Sequence, residues 1–347
     1  MYGRVTSRLW GPPLTVLSWG YAATLRMRQV LYALHIFKHK ELPCPVISVG
    51  NITLGGTGKT PTVIQIGTLL LNRQKRPVII SRGYGRKNEA ETVVVSDGRT
   101  LLVDSQTGGD EPVLIGSKIL GVPVVVGARR HQAALDALRL FNPDVMILDD
   151  GYQHIQLKRT LDIVLVDASD PFGNGKLFPA GILREPLNAL KRAHAVLITK
   201  GEHAGDVERL KEIIAKQTLG RIFTSRFVPL NIVDCSNGDT QPLSRLRGKS
   251  VLALAGIARP WSFTTLLRSL GAFVTAESIY PDHYVFKKSD LTDLYRKAAD
   301  TKVDFIITTE KDAIRLKHLK PEGIYALRIE LSVNEREEWE AFILGKV

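Results

Sequence analysis

Apolar residues follow two different rhythms along this chain. Near the start, Leu14, Leu17, Tyr21 and Leu25 recur at helical spacing, and Leu31, Leu34 and Phe37 continue the run. Pro12 and Pro13 suit a helix start, so one helix is predicted from Leu14 to Phe37. From residue 45 the rhythm changes to short, unbroken apolar runs: PVISVGN, RPVIISRG, VPVVVGA, DVMILDD, LDIVLVD and AVLITK. They are rich in β-branched residues and separated by helical stretches. Such runs suit strands covered on both faces of a parallel α/β sheet. A sheet of that kind binds its ligand at the carboxyl ends of the strands. ETVVVSDG and TLLVDS predict a hairpin insert turning at Asp97 and Gly98.

The stretch from 221 to 248 reads as an extended connector, with RIFTSRFVPLNIVD followed by the polar, turn-rich CSNGDTQPLSRLRG. A second, smaller α/β unit then opens at SVLALAGIARP. It predicts further strands at FVTAESIY, VDFIITTE and GIYALRIEL, the last returning to the connector, and a closing helix at NEREEWEAFILG. The expected divisions are therefore an N-terminal helix at 1–40, a core at 41–220, the connector at 221–248 and a C-terminal α/β domain at 249–347.

The 347 residues are 44% hydrophobic and 24% charged, an ordinary balance with enough apolar material for two cores. No run of about 18 apolar residues predicts a transmembrane helix. Cys44 and Cys235 lie in unrelated contexts, so neither a disulfide nor a zinc site is expected. The net charge of +12 suits a phosphorylated, lipid or nucleic-acid partner. Its distribution favours lipid. Arg4, Arg8, Arg26, Arg28, Lys38 and Lys40 share the first 40 residues with Trp10, Trp19, Tyr21 and Tyr32, and no acid is among them. Basic residues, interfacial aromatics and an apolar helix describe a segment lying in a membrane surface with anionic lipids. A helix docked on the protein body is the plainer reading.

The first chemical motif is VGNITLGGTGKTP, residues 49–61. A phosphate-binding loop has the form G-x-x-x-x-G-K-[ST], which places glycine where this chain has Thr53. Gly55, Gly56 and Gly58 remain where the chain must curl most tightly. The loop follows a predicted strand and precedes a predicted helix, so Thr53, Gly55, Gly56, Thr57 and Gly58 are candidate phosphate-cradle residues. Lys59 adds charge for the β and γ phosphates, and the Thr60 hydroxyl can bind Mg²⁺.

Other strand ends carry further candidates. VMILDDGYQH ends in Asp149 and Asp150, a place for carboxylates that hold Mg²⁺ directly or through water, with a helix cap or turn as the alternative. SRGYGR offers Arg82 and Arg86 to phosphates, or as a solvated turn. In GGDEP, Asp110 is either a general base or a helix cap. LFPAGILREPL sets Arg184 and Glu185 between prolines, as a carboxylate and cation for a metal site or as a rigid turn. YPDHYVF holds His283, catalytic or structural.

Taken together and in this order, SVGNITLGGTGKTP, SRGYGR, GGDEP, LDDGYQH, FPAGILREP and YPDHYVF resemble the tetraacyldisaccharide 4′-kinase family of the lipid A pathway. The resemblance runs from the N-terminal helix to TTEKDAIRL. That family commonly has Ser or Thr at the first loop position, as here. Tyr152 and Ile182 stand where Phe and Pro are common. The resemblance implies a P-loop NTPase-like core and ATP- and Mg²⁺-dependent phosphorylation of the 4′-hydroxyl of a lipid disaccharide 1-phosphate. It further implies a peripheral or monotopic enzyme at the cytoplasmic face of the bacterial inner membrane, with no nucleic-acid or obligate protein partner. By the same resemblance Asp110 meets the reacting hydroxyl and pairs with His283. Thr60, Asp150 and Glu185 form the Mg²⁺ shell with Asp149 nearby, Lys59 and the loop hold ATP, and Arg184 handles charge.

Two other classes fit parts of the chain. ITKGEH distantly matches the guanine-reading N/T-K-x-D, with Glu202 in the aspartate's place, and suggests a GTPase switch or metallochaperone. The charge suggests a nucleic-acid-binding ATPase, although half of the excess lies in the N-terminal 40 residues.

Overall fold

The computed structural model describes residues 11–201 and 205–347. Arg4, Arg8 and Trp10, part of the expected membrane segment, lie outside them, as does Glu202. The chain forms two compact units. One comprises the chain through Arg82, Val125–Arg226 and Ser332–Val347; the other comprises Gly83–Val124 and Phe227–Leu331. The expected divisions followed the chain in order, but residues 83–124 belong to the second unit and the closing helix Arg336–Leu344 to the first.

In the first unit all six predicted strands form. With Arg221–Asp234 beside them, the sheet order is Arg221–Asp234, Ala195–Thr199, Leu161–Asp167, Val46–Asn51, Val145–Asp149, Pro77–Ser81 and Val124–Val126. The pairings from Arg221–Asp234 to Pro77–Ser81 are parallel. Every residue of Val46–Asn51, Val145–Asp149 and Leu161–Asp167 is buried, which is why these strands need no polar alternation. Val49 lies opposite Asp149, so the neighbouring strands end together and deliver Asn51 and Asp149 to one edge. Gly50 permits this close approach, because a Cβ there would lie 2.6 Å from Tyr152 Cβ. The terminal helix is held by Trp339. Its ring is fully buried, meets Phe223 edge-on, and donates from Nε1 to Gln65 Oε1 at 3.0 Å.

The N-terminal helix spans Gly11–Ala33 and ends earlier than Phe37, where His35 takes a left-handed φ of 58°. The apolar stripe expected on it divides. Leu25 and Ser18 are buried and Tyr21 is half-buried, whereas Leu17 points outward. Ser18 takes the inward place through two backbone partners: its Oγ donates to Leu177 O at 2.9 Å and accepts from Ala180 N at 3.0 Å. Val16, Leu17, Trp19, Met27, Val30 and Leu34 are each more than half exposed. Among the described residues no helix is long and apolar enough to cross a membrane.

In the second unit the strands run in the order Phe273–Ile279, Ser250–Ala255, Phe305–Thr309, Ile324–Val333, and then the later part of Arg221–Asp234. The first three pairings are parallel. The segment expected as a connector is thus a strand of 14 residues, and GIYALRIEL returns to pair beside it. Thr240–Pro242 adds to it antiparallel. Phe263 and Leu267 of helix Pro260–Ser269 fill one core cluster, and Leu291 and Leu294 of helix Lys288–Asp300 fill another. Of the predicted hairpin only Val93–Ser96 forms a strand; TLLVDS contributes a single antiparallel bridge, Ser96 to Leu101, and Asp97 Oδ1 accepts from the amides of Arg99 and Thr100 at the turn between them.

Candidate active site

The phosphate loop connects the strand Val46–Asn51 to the helix Lys59–Asn72. Gly55 and Gly58 have φ of 110° and 91°, a region that favours glycine. A Cβ on Gly55 or Gly56 would meet nothing within 4 Å, so this part of the loop faces open space. No side chain caps the helix at Gly58, and its first amides are left for an anion. Thr53 has another task. It forms an antiparallel bridge with Leu183, and Leu54 N donates to Ile182 O at 2.7 Å. An extended residue in a bridge needs no positive φ, so threonine replaces glycine there without strain. Thr57 is buried, and its carbonyl accepts from Thr199 Oγ1 at 2.9 Å. Lys200 braces the loop from the same side, donating to Gly56 O at 3.2 Å and to Asp167 Oδ2 at 2.6 Å.

Lys59 and Asp150 meet directly, with Nζ 3.6 Å from Oδ1. Asn51 Oδ1 is a further partner of Lys59 at 3.4 Å. Arg184 Nη1 donates to both oxygens of Asp150, at 3.0 and 3.2 Å. Asp150 itself adopts a left-handed φ of 52°, a region aspartate enters more readily than most residues, just past the end of the strand Val145–Asp149. Burial pushes this carboxyl up, but Lys59 and Arg184, helped by Arg130, outweigh it and bring the pKa down to about 2. Asp149 stays within the strand end, where its Oδ2 accepts from Ser81 Oγ at 2.8 Å. Thr60 stands in the first turn of the helix beside Lys59.

Glu185, expected in the Mg²⁺ shell, is engaged elsewhere. It is fully buried, Arg192 Nη2 donates to both its oxygens at 2.9 and 3.1 Å, and Gln153 Nε2 donates to Oε1 at 3.1 Å. Gln153 also donates to the carbonyl of Asn51 at 2.8 Å. In this structure Glu185 is tied to Arg192 and, through Gln153, to the carbonyl of Asn51.

The second unit holds the other cluster. Asp110 is the first residue of helix Asp110–Lys118, and Gly109, with φ of 89°, occupies the cap position. The cap reading of Asp110 thus falls away. His283 Nδ1 lies 3.4 Å from Asp110 Oδ2, and Arg315 Nε donates to the same oxygen at 2.6 Å. Burial raises the Asp110 carboxyl, but His283 and Arg315 together hold it below the ordinary carboxylate range. His283 has a left-handed φ of 62°, and Tyr84 meets its ring edge-on at 5.9 Å. Lys311 bonds Glu111 at 3.0 Å and faces Asp282 and His283 at 3.5 Å. Arg86, a candidate phosphate contact, is buried and donates to the carbonyls of Glu89 and Glu91, so it braces its own loop.

Within the first unit the structure brings together Lys59, Asp150, Arg184 and the loop; within the second it brings together Asp110 and His283. Asn51, Gln153, Lys200, Lys311 and Arg315 escaped the sequence reading. All five lay in segments quoted above, Asn51 in VGNITLGGTGKTP, Gln153 in VMILDDGYQH, Lys200 in ITKGEH, and Lys311 and Arg315 in TTEKDAIRL, but no segment shows its partner locally.

The first cluster fits a nucleotide and its cation. An uncapped helix of 14 residues, the open Gly55–Gly56 turn and Lys59 suit a polyphosphate. Thr60 and the ionised Asp150 offer the hard oxygens that Mg²⁺ prefers. No group of three His, Cys, Asp or Glu that could hold a metal occurs among the described residues.

Comparison with known proteins places these features in one family. Residues 10–347 match the family described as LpxK, tetraacyldisaccharide-1-P 4′-kinase. The tetraacyldisaccharide 4′-kinase of Pelobacter propionicus is 41% identical over 320 residues, covering 90% of this chain and 86% of that one. That of Geobacter metallireducens is 40% identical over 333 residues, covering 95% and 96%. The crystal structure of LpxK from Aquifex aeolicus in complex with ATP superposes with a TM-score of 0.78 at 32% identity, covering 97% of this chain and 99% of that one. A match of this length does not favour the GTPase-switch or metallochaperone reading. It contains both clusters and the N-terminal helix, and the chain belongs to the tetraacyldisaccharide-1-phosphate 4′-kinase family.

Proposed function

We propose that the chain transfers the γ-phosphoryl group of ATP to the 4′-hydroxyl of a tetraacyldisaccharide 1-phosphate, giving lipid IVA for lipid A, with the two clusters in distinct roles. A single observation carries the activity: the family match extends over residues 10–347. Bound ATP supplies the group transferred, and Mg²⁺ neutralises its charge. The amides of Gly55 to Gly58 and the first turn of the helix hold the phosphates. Lys59, steadied by Asn51 and Asp150, adds its charge to them. Thr60 and Asp150 hold the cation, with Asp149 behind them, and Arg184 offsets charge on nucleotide or substrate. Asp110 receives the proton of the 4′-hydroxyl, and His283 orients it. Because phosphoryl transfer passes through a loose transition state, alignment matters more than a strong base.

The exposed apolar residues of helix Gly11–Ala33, with Arg26 and the nearby Lys38 and Lys40, support a peripheral seat on an anionic membrane surface at the cytoplasmic face of the inner membrane. Tyr21 links that helix to the site by donating to the carbonyl of Arg184 at 2.9 Å. The test is incubation with γ-labelled ATP, Mg²⁺ and a tetraacylated disaccharide 1-phosphate in detergent micelles. Appearance of a bisphosphorylated, labelled lipid is expected; label remaining in nucleotide or free phosphate alone would refute the assignment.

A further inference from the structure

Asp110 has a closer partner than His283. Arg315 Nε donates to Asp110 Oδ2 at 2.6 Å, whereas His283 Nδ1 stands 3.4 Å from that oxygen. Arg315 is 4% exposed and each of its nitrogens has a neighbour. Nη1 donates to Gly256 O at 2.7 Å and to Asp312 Oδ1 at 3.0 Å, and Nη2 faces His283 Nδ1 at 3.4 Å. Asp312 is fully buried, and its Oδ2 accepts from Gly256 N at 3.0 Å and Thr309 Oγ1 at 2.7 Å. Thr309 also caps the helix Glu310–Leu316 that carries both residues. A planar fork held at so many points has one orientation before any substrate arrives.

We propose that Arg315 is a positioning residue for phosphoryl transfer: it fixes one oxygen of Asp110 in place and leaves the other to meet the acceptor hydroxyl, while Asp312 and the Gly256 carbonyl hold the guanidinium. This rests on Asp110 being the proton acceptor. His283 cannot do the same work alone. Its Nδ1 faces both Asp110 and Arg315, so it either donates to the first or accepts from the second, according to tautomer. Arg315 has no such choice.

The charge around Asp110 follows from this arrangement. His283 and Arg315 face its Oδ2, Asp282 and Asp312 stand against Arg315, Lys311 stands against Asp282 and Glu111, and Glu111 is its neighbour on its own helix. Lys311 answers Glu111 and Asp282, and Arg315 answers Asp312 as well as Asp110. Removing the guanidinium takes away a cation that holds Asp110 ionised, so its proton affinity rises.

The test compares wild type, R315K, R315Q and D110A in the kinase assay from about pH 5 to about pH 9. R315Q should lower kcat by roughly 10- to 100-fold, keep KM for ATP within about twofold, and move the acid limb of kcat to higher pH. R315K keeps the charge, so its acid limb should stay near that of wild type, but an ammonium cannot bond Asp110, Asp312 and the Gly256 carbonyl together, and kcat should still fall. If circular dichroism shows R315Q unfolded, R315K decides alone. Wild-type kcat in a folded R315K, or an unmoved acid limb in a folded R315Q, overturns the inference. D110A separates the two claims: near-normal turnover in D110A removes the proton-acceptor reading itself, whereas an inactive D110A beside wild-type-like Arg315 variants removes the positioning role only.

Discussion

Arg184 grips Asp150 from one side, with Nη1 3.0 and 3.2 Å from the two carboxylate oxygens, while Lys59 stands 3.6 Å away. One carboxylate thus serves two cations, one of them the lysine of the phosphate loop. Its backbone at this strand end takes a φ of 52°.

Asp150→Asn should lower kcat by at least ~100-fold and raise the Mg²⁺ concentration needed for half-maximal activity, since it removes the oxygen proposed for the metal and the counter-charge of Lys59. A Mg²⁺ titration checks this, and an unchanged requirement would take Asp150 out of the metal site. The pH dependence has a definite sign. With a pKa down at about 2, Asp150 stays ionised throughout the working range. Its stabilising effect is present above the unfolded value near 3.9 and is lost as pH falls through about 2, so it contributes no acid limb above about pH 4.

Glu185→Gln is expected to act on stability before it acts on metal binding. It leaves the partly buried Arg192 without its carboxylate, which costs about 2–3 kcal/mol after allowance for the solvent that reaches Arg192. Chemical denaturation reads the loss, and the Mg²⁺ requirement should barely move. A raised Mg²⁺ requirement with undiminished stability would return Glu185 to the metal shell.

Thr53→Gly restores the ordinary loop pattern, yet it should not improve nucleotide binding. Thr53 sits in a bridge with Leu183, so glycine adds only backbone freedom there, destabilising the fold by roughly 0.5–1 kcal/mol. Calorimetric titration with ATP should give an equal or weaker affinity; a clear gain contradicts the bridge argument.

Trp19→Glu combined with Met27→Glu should weaken binding to anionic phospholipid vesicles by about tenfold or more, because both side chains are more than half exposed and carry apolar area to the surface. Sedimentation with vesicles measures it. Activity on micellar substrate should persist, since neither residue faces the phosphate loop. Unaltered sedimentation rejects the membrane-surface role of this helix.

Much of the architecture was legible in the residues. The unbroken β-branched runs marked six buried strands, and glycine spacing located the cradle before Lys59. The linear domain division was less successful. Residues 83–124 and the helix of Trp339 each join a unit distant along the chain, and burial of a large ring such as Trp339 is decided by which cavity accepts it.

Sequence alone determined what depends on near neighbours: the period of apolar positions, the turn that needs Gly58, and the motif order that marks the family. Tertiary structure decided which charges meet. Arg315 and Asp110 are 205 positions apart, and Glu185 meets Arg192 and, through Gln153, the Asn51 carbonyl. Coulombic and hydrogen-bond energies fall off over a few ångströms, so ion-pair choice follows spatial adjacency, which sheet order and helix docking create and which no local pattern records.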